Sequence, residues 1–95
     1  MLRLGLDSNA TAYTGQIEVR GIYNATNVNN NFYHNTVYVG GAANAGGSNT
    51  YAFYSLSQIA ANNIVNIRNN IFYNAASNSG SAIGFNYAMK LFDSL

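Results

Sequence analysis

The sequence predicts an all-β fold, a parallel β-helix of about three short coils, and two recurrences and one absence predict it. His34-Asn35-Thr36-Val37-Tyr38 returns as Asn69-Asn70-Ile71-Phe72-Tyr73 after a step of 35 (69 − 34), each preceded two places earlier by an apolar residue, Phe32 or Ile67. A second series, out of phase with the first, runs Gly21-Ile22-Tyr23-Asn24, Ala52-Phe53-Tyr54-Ser55 and, more loosely, Ala82-Ile83-Gly84-Phe85, with steps of 31 (52 − 21) and 30 (82 − 52). Self-similarity at a period of a few tens of residues marks a stacked repeat architecture. The absence is proline, which cannot donate to a strand ladder and so suits a chain whose strands are paired on both sides by staying out of it.

Each element follows from local pattern. Leu2, Leu4 and Leu6 alternate with other residues, as do Ile17 and Val19, which predicts a strand, a polar loop from Asp7 to Thr11, and a second strand. A bend is expected at Gly21, a strand through Asn24, and an Asn-rich connection over 25–31. Phe32, Val37 and Val39 should point inward and Tyr33, Thr36 and Tyr38 outward, with His34-Asn35 as the bend between two strands. Residues 42–50 read as a small-residue loop. Strands are expected again at 51–56, 64–68 with Val65 and Ile67 inward, and 71–73, with loop over 74–80 and a return strand over 81–86. The core this gives is Ile22, Phe32, Val37, Phe53, Val65, Ile67, Phe72 and Ile83. The repeat core spans 17–87 of a single segment, 1–95, expected to be a piece of a longer helix; residues 88–95 are read as a cap, a short helix over 87–93, or a truncated end.

Composition removes several classes of function. Charged residues are 7% of the 95 and the net charge is +1, with Arg3, Arg20, Arg68 and Lys90 scattered, so no footprint for nucleic acid exists. No apolar run approaches the ~20 residues of a spanning helix, so no membrane span is expected. Cysteine is absent, which removes disulfides and thiolate metal sites. Residues 1–7 lack the apolar region of an export signal. If the protein is exported, its signal lies outside this chain.

The run Ile67-Arg68-Asn69-Asn70-Ile71-Phe72, with Asn-Asn between an inward apolar residue and an apolar-aromatic strand, resembles the right-handed parallel β-helix repeat of pectin-lyase-like proteins. The run Phe32-Tyr33-His34-Asn35-Thr36-Val37-Tyr38-Val39-Gly40-Gly41 resembles β-helix segments of very large secreted or cell-surface bacterial proteins that end in a separate sorting domain. The resemblance implies an extracellular or cell-surface location. It also implies right-handed coils, in line with the general handedness of parallel crossovers, and a structural ladder at the bend formed by Asn35 and Asn70 beside His34 and Asn69. Such amides would stack at the ~4.8 Å strand spacing and bond along the axis.

Catalytic chemistry is not visible in this chain. The three acids, Asp7, Glu18 and Asp93, have no acidic partner one repeat away, so neither a carboxylate pair nor a calcium cage is spaced correctly. No cofactor or metal is expected. His34 is the lone histidine; it occupies the place of Asn69 in the next repeat, and the reading as a hydrogen-bonded bend residue outweighs the catalytic one. Arg68 aligns with Tyr33, which favours a surface cation–π contact. The sequons at Asn9 and Asn24 match by chance in so Asn-rich a chain, and the Gly pairs at 40–41 and 46–47 lack the Lys of a phosphate loop.

Binding chemistry is confined to the outward tyrosines. Tyr38 with Tyr73, and Tyr23 with Tyr54, form two aromatic columns able to stack on sugar rings, although cross-strand packing alone would also place them there. The sequence therefore predicts a non-catalytic structural or adhesive segment whose partners are neighbouring coils, or other copies end to end. The alternative is a carbohydrate-binding or polysaccharide-processing β-helix, acting on polysaccharide or other surface glycans, with catalytic residues outside this chain.

Overall fold

The computed structural model describes residues 1–6, 14–15, 17–25, 28–56 and 64–91, and every regular element among them is a strand. In chain order these are β1 (Leu2–Leu4), β2 (Val19–Asn24), β3 (Asn30–Tyr33), β4 (Thr36–Val39), β5 (Ala42–Ala43), β6 (Thr50–Ser55), β7 (Val65–Arg68), β8 (Ile71–Asn74), β9 (Ser77–Asn78) and β10 (Asn86–Leu91). They pair into four open sheets, ordered β1-β4-β8, β10-β6-β2, β3-β7 and β5-β9. Every pairing is parallel. Parallel neighbours cannot be joined by a tight turn, and here the chain between them is occupied by strands of the other sheets.

Register ties like to like. Thr36, Val37 and Tyr38 lie beside Ile71, Phe72 and Tyr73, and Phe32 and Tyr33 beside Ile67 and Arg68, at the 35-residue offset that also separates Asn35 from Asn70. Ile22, Tyr23 and Asn24 lie beside Phe53, Tyr54 and Ser55 at an offset of 31. Val37, Val39, Ala52 and Phe53 are almost wholly buried, with Ile22 and Phe72 packed against them. Phe53 takes the ring of Phe32 edge-on at 5.0 Å and that of Phe72 in a stack at 5.2 Å. Phe32, Val65 and Ile67 are half-buried.

Several expectations are corrected. Ile83 is 77% exposed and sits outside any strand, because the third member of the second series is β10: Met89, not Ile83, lies beside Phe53, and the offset is 36. Residues 86–91 form this strand, so the short helix expected over 87–93 does not begin there; residues 92–95 lie outside the described residues. Ala42–Ala43 and Ser77–Asn78 are not loop but a short parallel pair, held by main-chain bonds such as Ser77 N–H to the Gly41 carbonyl. β3 begins inside the expected connection, at Asn30.

Gly21 is a close-approach glycine within one continuous strand. A Cβ there would fall 2.5 Å from both the Ala52 carbonyl oxygen and Val37 Cγ1. The registered pairs step over it, from Arg20 and Tyr51 to Ile22 and Phe53. Arg20 and Tyr23 are exposed, whereas Ile22 packs against the core and Asn24 is buried, so strict alternation fails at this point.

Phe53 is the test of this core. Phe53→Ala removes the ring that Phe32 and Phe72 share, at a cost of about 3–5 kcal/mol, a large share of the roughly 5–15 kcal/mol that holds a domain folded. Urea unfolding followed by circular dichroism should show the transition moved to much lower urea or lost. A midpoint near that of the parent chain would refute the packing described.

Candidate functional site

The two bends are built alike. β3 meets β4 through His34-Asn35, and β7 meets β8 through Asn69-Asn70. The first residue of each pair is left-handed, with φ of 58° at His34 and 54° at Asn69, a region in which Asn and His are enriched among non-glycine residues. The second residue carries the side-chain bonds. Asn70 Oδ1 accepts from the Asn35 main-chain N–H at 2.8 Å and from Asn35 Nδ2 at 3.0 Å, while Asn70 Nδ2 donates to the Phe32 carbonyl at 2.7 Å. The His34 N–H donates to the Arg68 carbonyl and the Ile71 N–H to that of Asn35.

Further amide contacts, not anticipated from the sequence, repeat the same offset. Asn66 Nδ2 donates to Asn31 Oδ1, and the Ile64 N–H to Asn29 Oδ1, each across 35 residues at 2.8 Å. Asn74, directly across from buried Val39, aims Nδ2 at the Thr50 hydroxyl at 2.9 Å, the Tyr87 carbonyl at 2.9 Å and the Thr50 carbonyl at 3.2 Å. Buried Asn24 donates to Ser55 Oγ at 3.1 Å and accepts from Asn30 at 2.9 Å. Its burial removes it as an accessible sequon; the sequon at Asn9 lies outside the described residues. The signal for the Asn31–Asn66 contact was present, since both positions carry Asn one step apart.

Six of the described tyrosines make one long pile and one pair. Tyr23 stacks on Tyr54 at 5.4 Å, Tyr54 on Tyr51 at 4.6 Å and Tyr51 on Tyr87 at 5.4 Å, with Phe85 tilted against Tyr87. Tyr38 and Tyr73 are tilted by 56° with centroids 5.5 Å apart. Tyr73 and Tyr23 are the exposed members, whereas Tyr51 is covered by the pile and its hydroxyl accepts from Asn49 Nδ2. Tyr51 and Tyr87 were missed in the sequence because the offset changes from 31 to 36 between β2-β6 and β6-β10.

All four basic residues of the chain stand in register with a tyrosine: Arg3 with Tyr38, Arg20 with Tyr51, Arg68 with Tyr33 and Lys90 with Tyr54. Their charges hover over rings, Arg20 at 4.3 Å from the Tyr23 centroid, Lys90 at 5.1 Å from Tyr87, Arg3 at 5.8 Å from Tyr38 and Arg68 at 5.9 Å from Tyr33. Glu18 pairs with Arg20, and this hydrogen bond is the main cause that holds the guanidinium above its ordinary pKa. Each basic side chain is thus set against an aromatic ring.

His34 borders an open recess of about 290 Å³ with Met1, Leu2, Ile22, Asn35, Thr36 and Val37. No acid lines it, and among the described residues no three His, Cys, Asp or Glu side chains gather as a metal site. Asp7 and Asp93 lie outside the described residues. Nor is any described helix long and apolar enough to cross a membrane. The side chains gathered here can stack on flat rings and donate hydrogen bonds. Compared with protein-family models, curated proteins and solved structures, the chain matches none.

The bend makes two checkable statements. Asn70→Ala leaves the Asn35 N–H and the Phe32 carbonyl without these partners and should cost about 1–3 kcal/mol. Asn69→Gly should be more stable than Asn69→Ala, because a left-handed backbone costs a Cβ-bearing residue about 1–2 kcal/mol. Equilibrium urea melts of the three variants measure both, and an Ala variant as stable as the Gly variant at 69 contradicts the geometry.

Proposed function

We propose that this chain is a non-catalytic structural or adhesive segment of an extracellular or cell-surface protein. In this reading the strands wind as a right-handed parallel β-helix of about three short coils, of the pectin-lyase-like kind that the sequence resembles. The observation that carries it is the constant return: β3 on β7, β4 on β8 and β5 on β9 share one offset, with Val37 on Phe72, Asn35 on Asn70 and Tyr38 on Tyr73. A scaffold of this type spaces and displays other parts of a protein. In this reading its end strands present main-chain edges to neighbouring coils of a parent protein or to a second copy end to end.

A second reading is supported by Tyr23 and Tyr73, which are 41% and 58% exposed beside Tyr54 and Tyr38. Flat rings with a polar tip stack on sugars, and a carbohydrate-binding or polysaccharide-processing β-helix would use them so, with catalytic groups supplied from outside this chain.

Two experiments separate these. Sedimentation velocity of the 95-residue chain over a range of concentrations should show association, and thermal scans a broad transition; a concentration-independent monomer that melts sharply would sink the structural reading. Glycan-array binding should be lost in the Tyr38→Ala/Tyr73→Ala and Tyr23→Ala/Tyr54→Ala variants if the second reading holds. Binding that survives in both eliminates the tyrosine columns.

A further inference from the structure

Six of the seven tyrosines among the described residues stand directly across from another tyrosine on a parallel neighbour: Tyr23 from Tyr54, Tyr51 from Tyr87 and Tyr38 from Tyr73. The pair Tyr23–Tyr54 combines stacked rings, 29° apart in plane at 5.4 Å, with a member open to solvent, whereas Tyr51 is only 5% exposed. Arg20 lies over both rings, 4.3 Å from the centroid of Tyr23 and 5.7 Å from that of Tyr54, and holds them under one cation. The chain contains neither Cys nor Trp, so its phenols and two methionines are the side chains left for an oxidant.

We propose that Tyr23 and Tyr54 form an oxidative cross-linking site, at which a haem peroxidase using hydrogen peroxide joins β2 to β6 through a dityrosine bond. Each phenol gives one electron and one proton to the peroxidase. One peroxide takes both electrons and both protons and leaves as two waters. The two phenoxyl radicals couple at the ring carbons beside the hydroxyls, and the two displaced ring hydrogens return to the oxygens, so the product is the parent chain less two hydrogens.

Register makes this reaction selective. Neighbouring strands lie about 4.8 Å apart, so the Cβ atoms of Tyr23 and Tyr54 already run side by side, and rotation about the side-chain bonds brings the ring rims together while the ladder stays paired. The pile continues to Tyr51 and Tyr87, so a radical formed on an inner ring has a neighbour at stacking distance. The bond would close a loop across 31 residues in a chain that has no cysteine for a disulfide, and cross-links of this kind act by restricting the unfolded chain. The site rests on the strand register and is independent of the proposed function.

The test oxidises the full chain with a haem peroxidase and hydrogen peroxide, in native buffer and in concentrated urea. Native oxidation should give a monomer lighter by two hydrogens, dityrosine fluorescence, a cross-linked peptide pair containing Tyr23 and Tyr54, and a raised thermal midpoint. Urea should abolish that peptide pair. Tyr23→Phe and Tyr54→Phe keep a ring in the stack but remove a phenol, and each should eliminate the pair, while Tyr38→Phe leaves it. Should a Phe variant fail to fold by circular dichroism, the native-against-urea comparison on the parent chain decides alone, run at a urea concentration in which the peroxidase still couples free tyrosine. Equal yield in urea, links only between molecules, or Tyr23–Tyr54 links no more frequent than other tyrosine pairs would each overturn the site.

Discussion

Parallel main-chain pairing at a repeated offset is the constraint from which the rest of this structure follows. Once β4 lies on β8 and β3 on β7 in register, every side chain has a fixed neighbour on the next strand, a few ångströms away, and must suit it. Three solutions recur. Apolar residues stack inward, as Val37 does on Phe72; amides bond to one another, as Asn35 does to Asn70; and aromatic rings stack outward, as Tyr23 does on Tyr54.

The same constraint accounts for the scarcity of charge. Like charges directly opposite on neighbouring strands repel, so a ladder of repeated positions disfavours repeated charges. Here each basic residue is matched in register with tyrosine, whose ring face attracts a cation instead of repelling it. Asparagine serves the polar positions for a related reason. It carries both a donor and an acceptor, so one residue type can bond to its copy on the next strand, which neither a carboxylate nor an ammonium can do.

What the sequence disclosed follows from what repeats. The offsets of 35 and 31 were legible because residues of the same kind recur at them, and with the offsets came the Asn35–Asn70, Val37–Phe72 and Tyr23–Tyr54 neighbours. The third member of the second series was misplaced because Ala82-Ile83-Gly84-Phe85 imitates Ala52-Phe53-Tyr54 in apolar pattern, while the paired strand, Asn86–Leu91, carries Met89 and Lys90 where the earlier strand has Phe53 and Tyr54. Nothing local marks Ala42–Ala43 as a strand either. Small residues have little strand preference of their own, and this pair is extended because Ser77–Asn78 lies beside it.

The offsets also show where the architecture tolerates change. From β3 to β5 and from β7 to β9 the spacing of strands is identical, so the bends at His34-Asn35 and Asn69-Asn70 have no slack. Asn24 to Asn30 spans 6 positions (30 − 24), whereas Ser55 to Val65 spans 10 (65 − 55), and the whole difference between offsets of 31 and 35 is taken up there. Loop length costs little once ends are fixed, because closure entropy grows only logarithmically. A two-residue bend with a left-handed first residue and a bonded amide second admits no insertion without slipping the register, and a one-residue slip would turn Val37 and Phe72 to solvent and Tyr38 and Tyr73 to the core. Length variation and side-chain stacking are therefore separated along the chain: the connection before β3 and β7 varies, and the bend after them holds every outward residue in its column.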